Sequence, residues 1–323
     1  MPATKITSRC LSIAVLMILV LVGVLHAQQL RRKPMRAARP PLISQEFEGV
    51  FFVDVQKQLV GQPPSARDLA SSSTKTDEVV TSDASSNSNS SGNAIWKERI
   101  SGQSIEDLVK EGKRRLDSII TTPAKFAAGS YKDARREFTL QAILFAVIEM
   151  YPEKVRWQNS ATIARGRFSR MAANAKVATG PAFNEAKLRM EDLGTLLKGS
   201  PLNDTAPIAE LNWSEIADRV PSMQVLEWAF RENLNRFVAS EAEFKSHTDE
   251  TLKFAELIGM IGEILHQPGM NDADDAEYQS WTSQMIVEAK HIADAVKLNN
   301  PTMAREAAGQ LDKACNACHN TFR

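Results

Sequence analysis

Apolar residues recur at every third and fourth position from Ile95 to the C-terminus, and this spacing predicts helices rather than strands. Proline lies between the apolar stripes, as at Pro123, Pro152 and Pro301, where it begins or follows a helix. The stripes are Ile105–Leu116, Phe138–Ile148, Ala164–Ala175, Phe183–Leu197, Met223–Leu234, Phe254–Leu265, Met285–Val296 and Ala304–Cys318. The sequence therefore predicts an all-α fold.

The last four stripes repeat the first four. At an offset of 118 residues Ile105 aligns with Met223, and TTPAKF (121–126) aligns with ASEAEF (239–244). The offset drifts only at the loops, which is typical of an internal repeat. Two unrelated amphipathic helices also align somewhere, but agreement over four consecutive helices favours duplication. We expect two tandem four-helix bundles, over residues 95–200 and 201–323.

The first 94 residues lack this periodicity. Lys5 and Arg9 precede an apolar run from Leu11 to Leu25, and the small residue Ala27 follows. This pattern is typical of a secretory signal peptide over residues 1–27, so we expect a periplasmic or otherwise exported protein. A retained membrane anchor is the alternative, because the apolar run falls just short of a spanning helix. It would leave the protein tethered to the membrane.

Residues 28–94 are expected to be a basic arm followed by a disordered linker. The Ser- and Asn-rich stretch 71–93 has too few apolar groups to offset its ordering entropy. Five basic residues between 31 and 39 are explained most simply as a disordered leader, and the alternative is an electrostatic tether to an anionic membrane surface or an acidic partner. The whole chain carries 39 basic and 39 acidic residues, which gives no case for nucleic acid as a partner.

The most specific motif is CNACH, close to the C-terminus. The chain has 3 cysteines, of which Cys10 lies in the expected signal peptide, so Cys315 and Cys318 remain, followed by His319. Cys-x-x-Cys-His is the attachment sequence of c-type haem. Thiols at this spacing reach both vinyl groups of one porphyrin edge, and the next imidazole becomes the fifth iron ligand.

Other uses of the motif explain less of it. A disulfide between Cys315 and Cys318 would close a very short loop and leave His319 unexplained. A thioredoxin-like pair needs a βαβ context, which the periodicity does not provide. A zinc site needs about four ligands, and His247, His266 and His291 are scattered over other helix ends and loops. We therefore expect one covalent haem c.

The C-terminal sequence LDKACNACHNTFR resembles the C-terminus of the cytochrome c′ family, in which CxxCH lies on the last helix before an aromatic and a basic residue. The resemblance covers residues from about 220 to 323 and implies a four-helix bundle with one covalent haem. It implies Cys315 and Cys318 as attachment points, His319 as axial ligand and Arg323 near a propionate. The first bundle lacks the motif, since Cys315, Cys318 and His319 align with Gly194, Leu197 and Lys198.

The sixth iron position decides the activity. Methionine there favours electron transfer, whereas an open position binds diatomic gases or peroxide. Met223 is the candidate ligand because it lies in the first turn of the helix that should neighbour His319, although a methionine on an apolar face is usually core filler. Met260, Met285 and Met303 are poorer candidates.

The expected function is that of an exported monohaem electron carrier with an unidentified redox partner protein. No catalytic acid, base or nucleophile pattern is present, so we do not expect an enzyme. One alternative is a five-coordinate cytochrome c′-like protein that binds a gas or peroxide, and another is an interaction module with a structural haem. The haem-free first bundle is expected to dock, to form a homodimer or to present a surface.

Overall fold

The computed structural model describes residues 94–203 and 210–322 of the protein. Within these ranges the chain forms helices and turns without any strand, which confirms the all-α prediction. The described residues belong to one compact unit. The expected signal peptide, basic arm and linker lie outside the described residues, as does Arg323.

Eight long helices carry the predicted stripes in their predicted order. They are α1 (Gly102–Ile119), α2 (Tyr131–Met150), α3 (Ala161–Asn174), α4 (Gly180–Leu197), α5 (Arg219–Glu227), α6 (Thr248–Leu265), α7 (Ala276–Lys297) and α8 (Pro301–Thr321). Shorter elements are Pro123–Lys125, Phe126–Ser130, Gln158–Ser160, Trp213–Ile216, Asn235–Phe237 and Glu241–Ser246. The fifth stripe continues past α5 into a π-helix, Trp228–Leu234, that the periodicity did not predict.

Capping side chains mark the start of four of these eight helices. Ser101, Thr179 and Asn300 accept hydrogen bonds from the backbone N–H groups of Ser104, Ala182 and Met303 and so cap α1, α4 and α8. Proline lies in the first turn of α4 and of α8, where the missing N–H costs nothing. Asp275 caps α7 by accepting from two backbone N–H groups, which accounts for part of the acidic stretch before that helix.

The part of the chain before residue 204 is called here the N-terminal half, and the part from residue 210 onward the C-terminal half. In the N-terminal half α2 packs against α1 and α3, and α4 packs against α1 and α3. In the C-terminal half α6 packs against α7 and against the π-helix, and α7 packs against α8. Buried apolar residues of both halves belong to one continuous core.

Contacts between the halves are reciprocal. Helix α1 packs against α6, and α5 packs against α2, so the first long helix of each half lies on the second of the other. The residues that precede these first helices take part as well. Ser101 donates hydrogen bonds from its backbone N–H and its hydroxyl to Glu256 at 3.1 and 2.8 Å. Asp218 accepts one from Arg135 at 2.5 Å. The Trp96 and Trp213 rings meet between the halves with their centroids 5.4 Å apart.

Candidate functional site

The C-terminal half contains a cavity of about 690 Å³ between α5, the π-helix, α6, α7 and the end of α8. This volume lies within the range of about 300–1,000 Å³ that is typical of ligand and cofactor sites. Its walls are mainly apolar and include Met223, Leu226, Phe230, Ile258, Leu265, Met285, Leu311 and Phe322. In the N-terminal half, by contrast, α1 packs directly against α4.

The three residues of the haem-attachment motif line this cavity. Cys315, Cys318 and His319 all come from the last two turns of α8. Cys315 and His319 are four residues apart and therefore share one face of the helix, while Cys318 is three residues from Cys315. Both thiols are free and half-buried, and the His319 side chain is exposed. The structure thus brings the predicted attachment and ligand residues to one wall of one cavity.

The surroundings of the thiols disfavour their ionised form. Burial raises the pKa of the Cys315 thiol to about 11, helped by the neighbouring Asp312 carboxylate and opposed by Arg231. Burial also raises the pKa of Cys318, against the opposing effect of Arg219. Both groups are therefore protonated at neutral pH, unlike the low-pKa cysteines of redox catalysts.

Met223 lies half-buried on the wall formed by α5 and lines the same cavity as the three motif residues. Phe230 of the π-helix and Leu226 line the same wall. Met285 also lines the cavity, from α7. Ile105, which aligns with Met223 in the N-terminal half, is fully buried in the core. The structure therefore places Met223 among the residues that line the cavity.

Two arginines at the cavity were not singled out from the sequence. Arg219 pairs with Asp272 and donates a hydrogen bond to the Phe322 carbonyl oxygen at 3.3 Å. Arg231 lies 3.2 Å from Asp312 of the motif helix. Met223 follows Arg219 by four residues, and Arg231 follows Met223 by eight. The spacing of four was an available signal that Arg219 shares a face with Met223, whereas the spacing of eight gave no such signal for Arg231.

The remaining candidate residues lie elsewhere. His247 contacts the Glu243 carbonyl oxygen, His291 contacts Glu288, and His266 contacts the Thr282 hydroxyl. None of these three imidazoles lines the cavity. Arg323 lies outside the described residues.

The donor set fits a covalently held haem. The cavity offers two thiols at the correct spacing, an imidazole next to the second thiol, and an apolar space of cofactor size. Over residues 94–203 and 210–322 no group of three or more His, Cys, Asp or Glu side chains could hold a metal ion. A haem iron takes only one or two ligands from the protein, so a cluster of that kind is not required.

A second cavity of about 650 Å³ lies between α2, α3 and α5. Its lining is rich in arginine, but several of these cations already have acidic partners. Arg135 and Lys176 share Asp218, and Arg167 pairs with Asp192. No thiol or imidazole is among the described residues that line it. Of these two cavities, the first is the one that the residues of the haem-attachment motif line.

Comparison with protein-family models, with curated proteins and with solved structures finds no match for this chain. No helix of the described ranges is both long enough and apolar enough to cross a membrane.

Proposed function

We propose that the protein is a monohaem c-type cytochrome that carries electrons, with its haem in the cavity of the C-terminal half. The observation that carries this proposal is the convergence of Cys315, Cys318 and His319 with Met223 on one apolar cavity of about 690 Å³. Residues almost a hundred positions apart in the sequence thus line one cavity, which supports a shared role. A CNACH sequence that had arisen by chance would not be expected to line an apolar cavity together with Met223.

Each residue has a distinct role in this proposal. Cys315 and Cys318 would hold the haem covalently through two thioether bonds, and His319 would bind its iron. Met223 is the candidate for a second iron ligand, and the apolar side chains around it would exclude water. Arg219 and Arg231, at the same cavity, are the cations available to carboxylate groups of the cofactor, with Arg323 as a further candidate. A haem held between histidine and methionine supplies reversible one-electron transfer.

We also propose that the two halves arose by duplication. Pairs of residues at an offset of 118 have the same structural role: Thr122 and Ser240 both cap short helices, and Phe126 and Phe244 are both buried. At an offset of 117, Ser101 and Asp218 stand immediately before α1 and α5. These correspondences support two four-helix bundles, of which only the second keeps the haem residues.

Export and a redox partner belong to the same proposal. A c-type cytochrome with a cleaved leader would work outside the cytoplasm and pass electrons to another protein. The basic arm would allow association with an anionic membrane surface. A homodimer remains a separate proposal, which a measurement of solution mass would decide.

A gas- or peroxide-binding protein is the second candidate. It is favoured by the cavity lined by Met223, whereas in the N-terminal half α1 packs directly against α4. If no methionine binds the iron, the open coordination position would admit a small exogenous ligand. An interaction module with a structural haem would differ from both in showing neither electron exchange nor ligand binding.

Optical spectra of the protein produced with a c-type maturation system separate the two candidates. An electron carrier predicts a methionine–iron charge-transfer band in the oxidised form and a reduced form indifferent to carbon monoxide. Met223→Leu should lose the band and bind carbon monoxide, whereas Met285→Leu, at the other cavity methionine, should retain it. A wild-type protein that is high-spin and binds carbon monoxide at once would replace the electron-carrier proposal with the gas-binding one.

A further inference from the structure

The segment that forms one wall of the cavity also packs against the N-terminal half. Met223, Phe230 and Arg231 line the cavity from α5 and the π-helix. Val225 and Ala229, on other faces of the same segment, are fully buried, and α5 packs against α2. Contacts from outside the four helices of the C-terminal half therefore help to position this wall, together with the packing of the π-helix against α6.

Trp228, the first residue of the π-helix, is held by groups from both halves. The guanidinium of Arg115 in α1 lies 4.5 Å from the centroid of the Trp228 ring, and that of Arg136 in α2 lies 5.9 Å away. Phe254 of α6 contacts the ring edge-on, with centroids 5.2 Å apart. Stacking of a cation on tryptophan is the strongest form of this interaction.

Arg115 is itself fixed by two carboxylates. Its Nε and Nη2 donate to the two oxygens of Glu137 at 2.7 and 3.1 Å, and Glu111 lies 3.5 Å away. Glu137 is almost completely buried, and a paired geometry of this kind holds a guanidinium more firmly than a single bond would. These ion pairs therefore fix the orientation in which the Arg115 guanidinium contacts the Trp228 ring.

Equivalent positions of the two halves carry different residues with different roles. Gly112 aligns with Phe230 at the offset of 118. A Cβ atom at Gly112 would lie 2.6 Å from the Glu137 carboxylate and 2.0 Å from the Gln141 amide, so glycine is needed to admit this buried polar cluster. In the C-terminal half, Phe230 instead lines the cavity. The cluster that fixes Arg115 thus occupies the part of the N-terminal half that corresponds to the cavity wall.

We infer that the N-terminal half positions the cavity wall, with Arg115 as a positioning residue that acts through Trp228. The stacked guanidinium fixes the first turn of the π-helix, which carries Phe230, and the continuous helix transmits this to Met223. Asn233 completes the turn by donating from its side-chain amide to the Trp228 carbonyl oxygen at 2.8 Å. π-helical turns are rare and occur often at functional sites. The inference rests on the proposed function for the identity of the group in the cavity. The contacts of Arg115 and Trp228 do not depend on that identity.

The test compares Arg115→Lys and Trp228→Leu with Arg114→Lys in the full-length protein. Lysine at 115 keeps a charge beside Glu137 but loses the planar stacking group, and Arg114 is an exposed neighbour on the same helix. Hydrogen exchange measured by mass spectrometry should show at least a ten-fold faster exchange of amides 228–234 in the first two variants, with α3 and α4 unchanged. Arg114→Lys should match the wild type.

The same variants loaded with haem give a second readout, which a merely structural contact would not move. Arg115→Lys and Trp228→Leu should weaken the methionine–iron band, and the double variant should do little more than either single one. Exchange in Arg115→Lys equal to that in Arg114→Lys would overturn the inference, and so would faster exchange with an unchanged spectrum. If the wild type binds no haem, the proposed function fails, and the exchange data alone decide whether Arg115 positions the π-helix.

Discussion

Cys315 and Cys318 must react before the proposed site exists, and their surroundings determine how readily they do so. In the haem-free folded protein, burial holds the pKa of Cys315 at about 11, whereas the ordinary value is 9.0. At pH 8 the thiolate fraction is then roughly a hundred-fold below that of the unfolded chain. The thiols of the folded protein are therefore expected to be poor nucleophiles until the pH is raised well above neutral.

Alkylation by iodoacetamide measures this directly. At pH 8 the native haem-free protein should modify Cys315 at least ten-fold more slowly than the protein in concentrated urea, and the native rate should rise steeply with pH. Mass spectrometry of the digested protein gives the rate for each cysteine. Equal rates with and without urea would mean that the end of α8 is not packed before the haem is attached.

Tyr278 is a buried residue whose hydroxyl is expected to lower the free energy of unfolding. Its side chain is fully buried beside Phe322 and Arg219, and its hydroxyl has no hydrogen-bond partner among the described residues. Burial raises its pKa to about 12. Because an unsatisfied buried hydroxyl costs about 1–3 kcal/mol, Tyr278→Phe is expected to raise the free energy of unfolding by about 1 kcal/mol. Urea unfolding checks this, and a loss of stability would show that the hydroxyl has a partner.

At the scale of single elements, α8 matters most because it carries the whole attachment motif. Its first turn depends on Asn300, whose side-chain oxygen accepts from the Met303 backbone N–H at 3.1 Å. Asn300→Ala should therefore lower the free energy of unfolding by about 1 kcal/mol. Thr302→Ala, an exposed change in the same turn, is the matched control and should have a smaller effect in the same urea titration. Equal losses in the two variants would deny the cap its role.

The helices follow from sequence more completely than the site does. Apolar spacing is a local property, so it predicts α1–α4 and α6–α8 in order, and the capping residues mark many of their first turns. The π-helix was not predictable, because the residues from Met223 to Leu234 keep the three-and-four spacing of an ordinary α-helix. The widened turn begins at Trp228, whose ring contacts Arg115, more than a hundred residues away.

The candidate site divides in the same way. Cys315, Cys318 and His319 lie within five residues of one another, so the sequence alone was enough to predict that they attach a haem. Arg219 and Arg231 face the cavity only because α5 lies beside the end of α8, and their partners Asp272 and Asp312 belong to other elements. Pairing of this kind is a tertiary property that no local pattern encodes.

At the scale of the whole molecule, buried charge links the halves. Lys253 of α6 contacts Glu111 of α1 at 2.6 Å, and both side chains are largely removed from solvent. Lys245 and Glu241 make a pair of the same 2.6 Å length on the surface. These two lysines differ in burial rather than in contact distance, so together they measure what the interface between the halves contributes.

Lys253→Ala is expected to lower the free energy of unfolding by about 2 kcal/mol. Breaking a buried pair typically costs about 3–5 kcal/mol, but Glu111 here keeps its contact with Arg115. Lys245→Ala should cost much less, because solvent screens an exposed pair. Urea titrations followed by circular dichroism give both values. Similar losses in the two variants would mean that the halves are not held together by this buried contact.

The central claim is that one haem is bound covalently through Cys315 and Cys318, and intact mass after denaturation tests it most directly. Protein produced with a c-type maturation system is unfolded in acid, separated from free cofactor and weighed beside the Cys315→Ser/Cys318→Ser double variant. The wild-type chain should be heavier than its own processed polypeptide by the mass of one haem, and the double variant should carry none. A wild-type chain with no added mass would contradict the haem site and, with it, the proposed electron carrier.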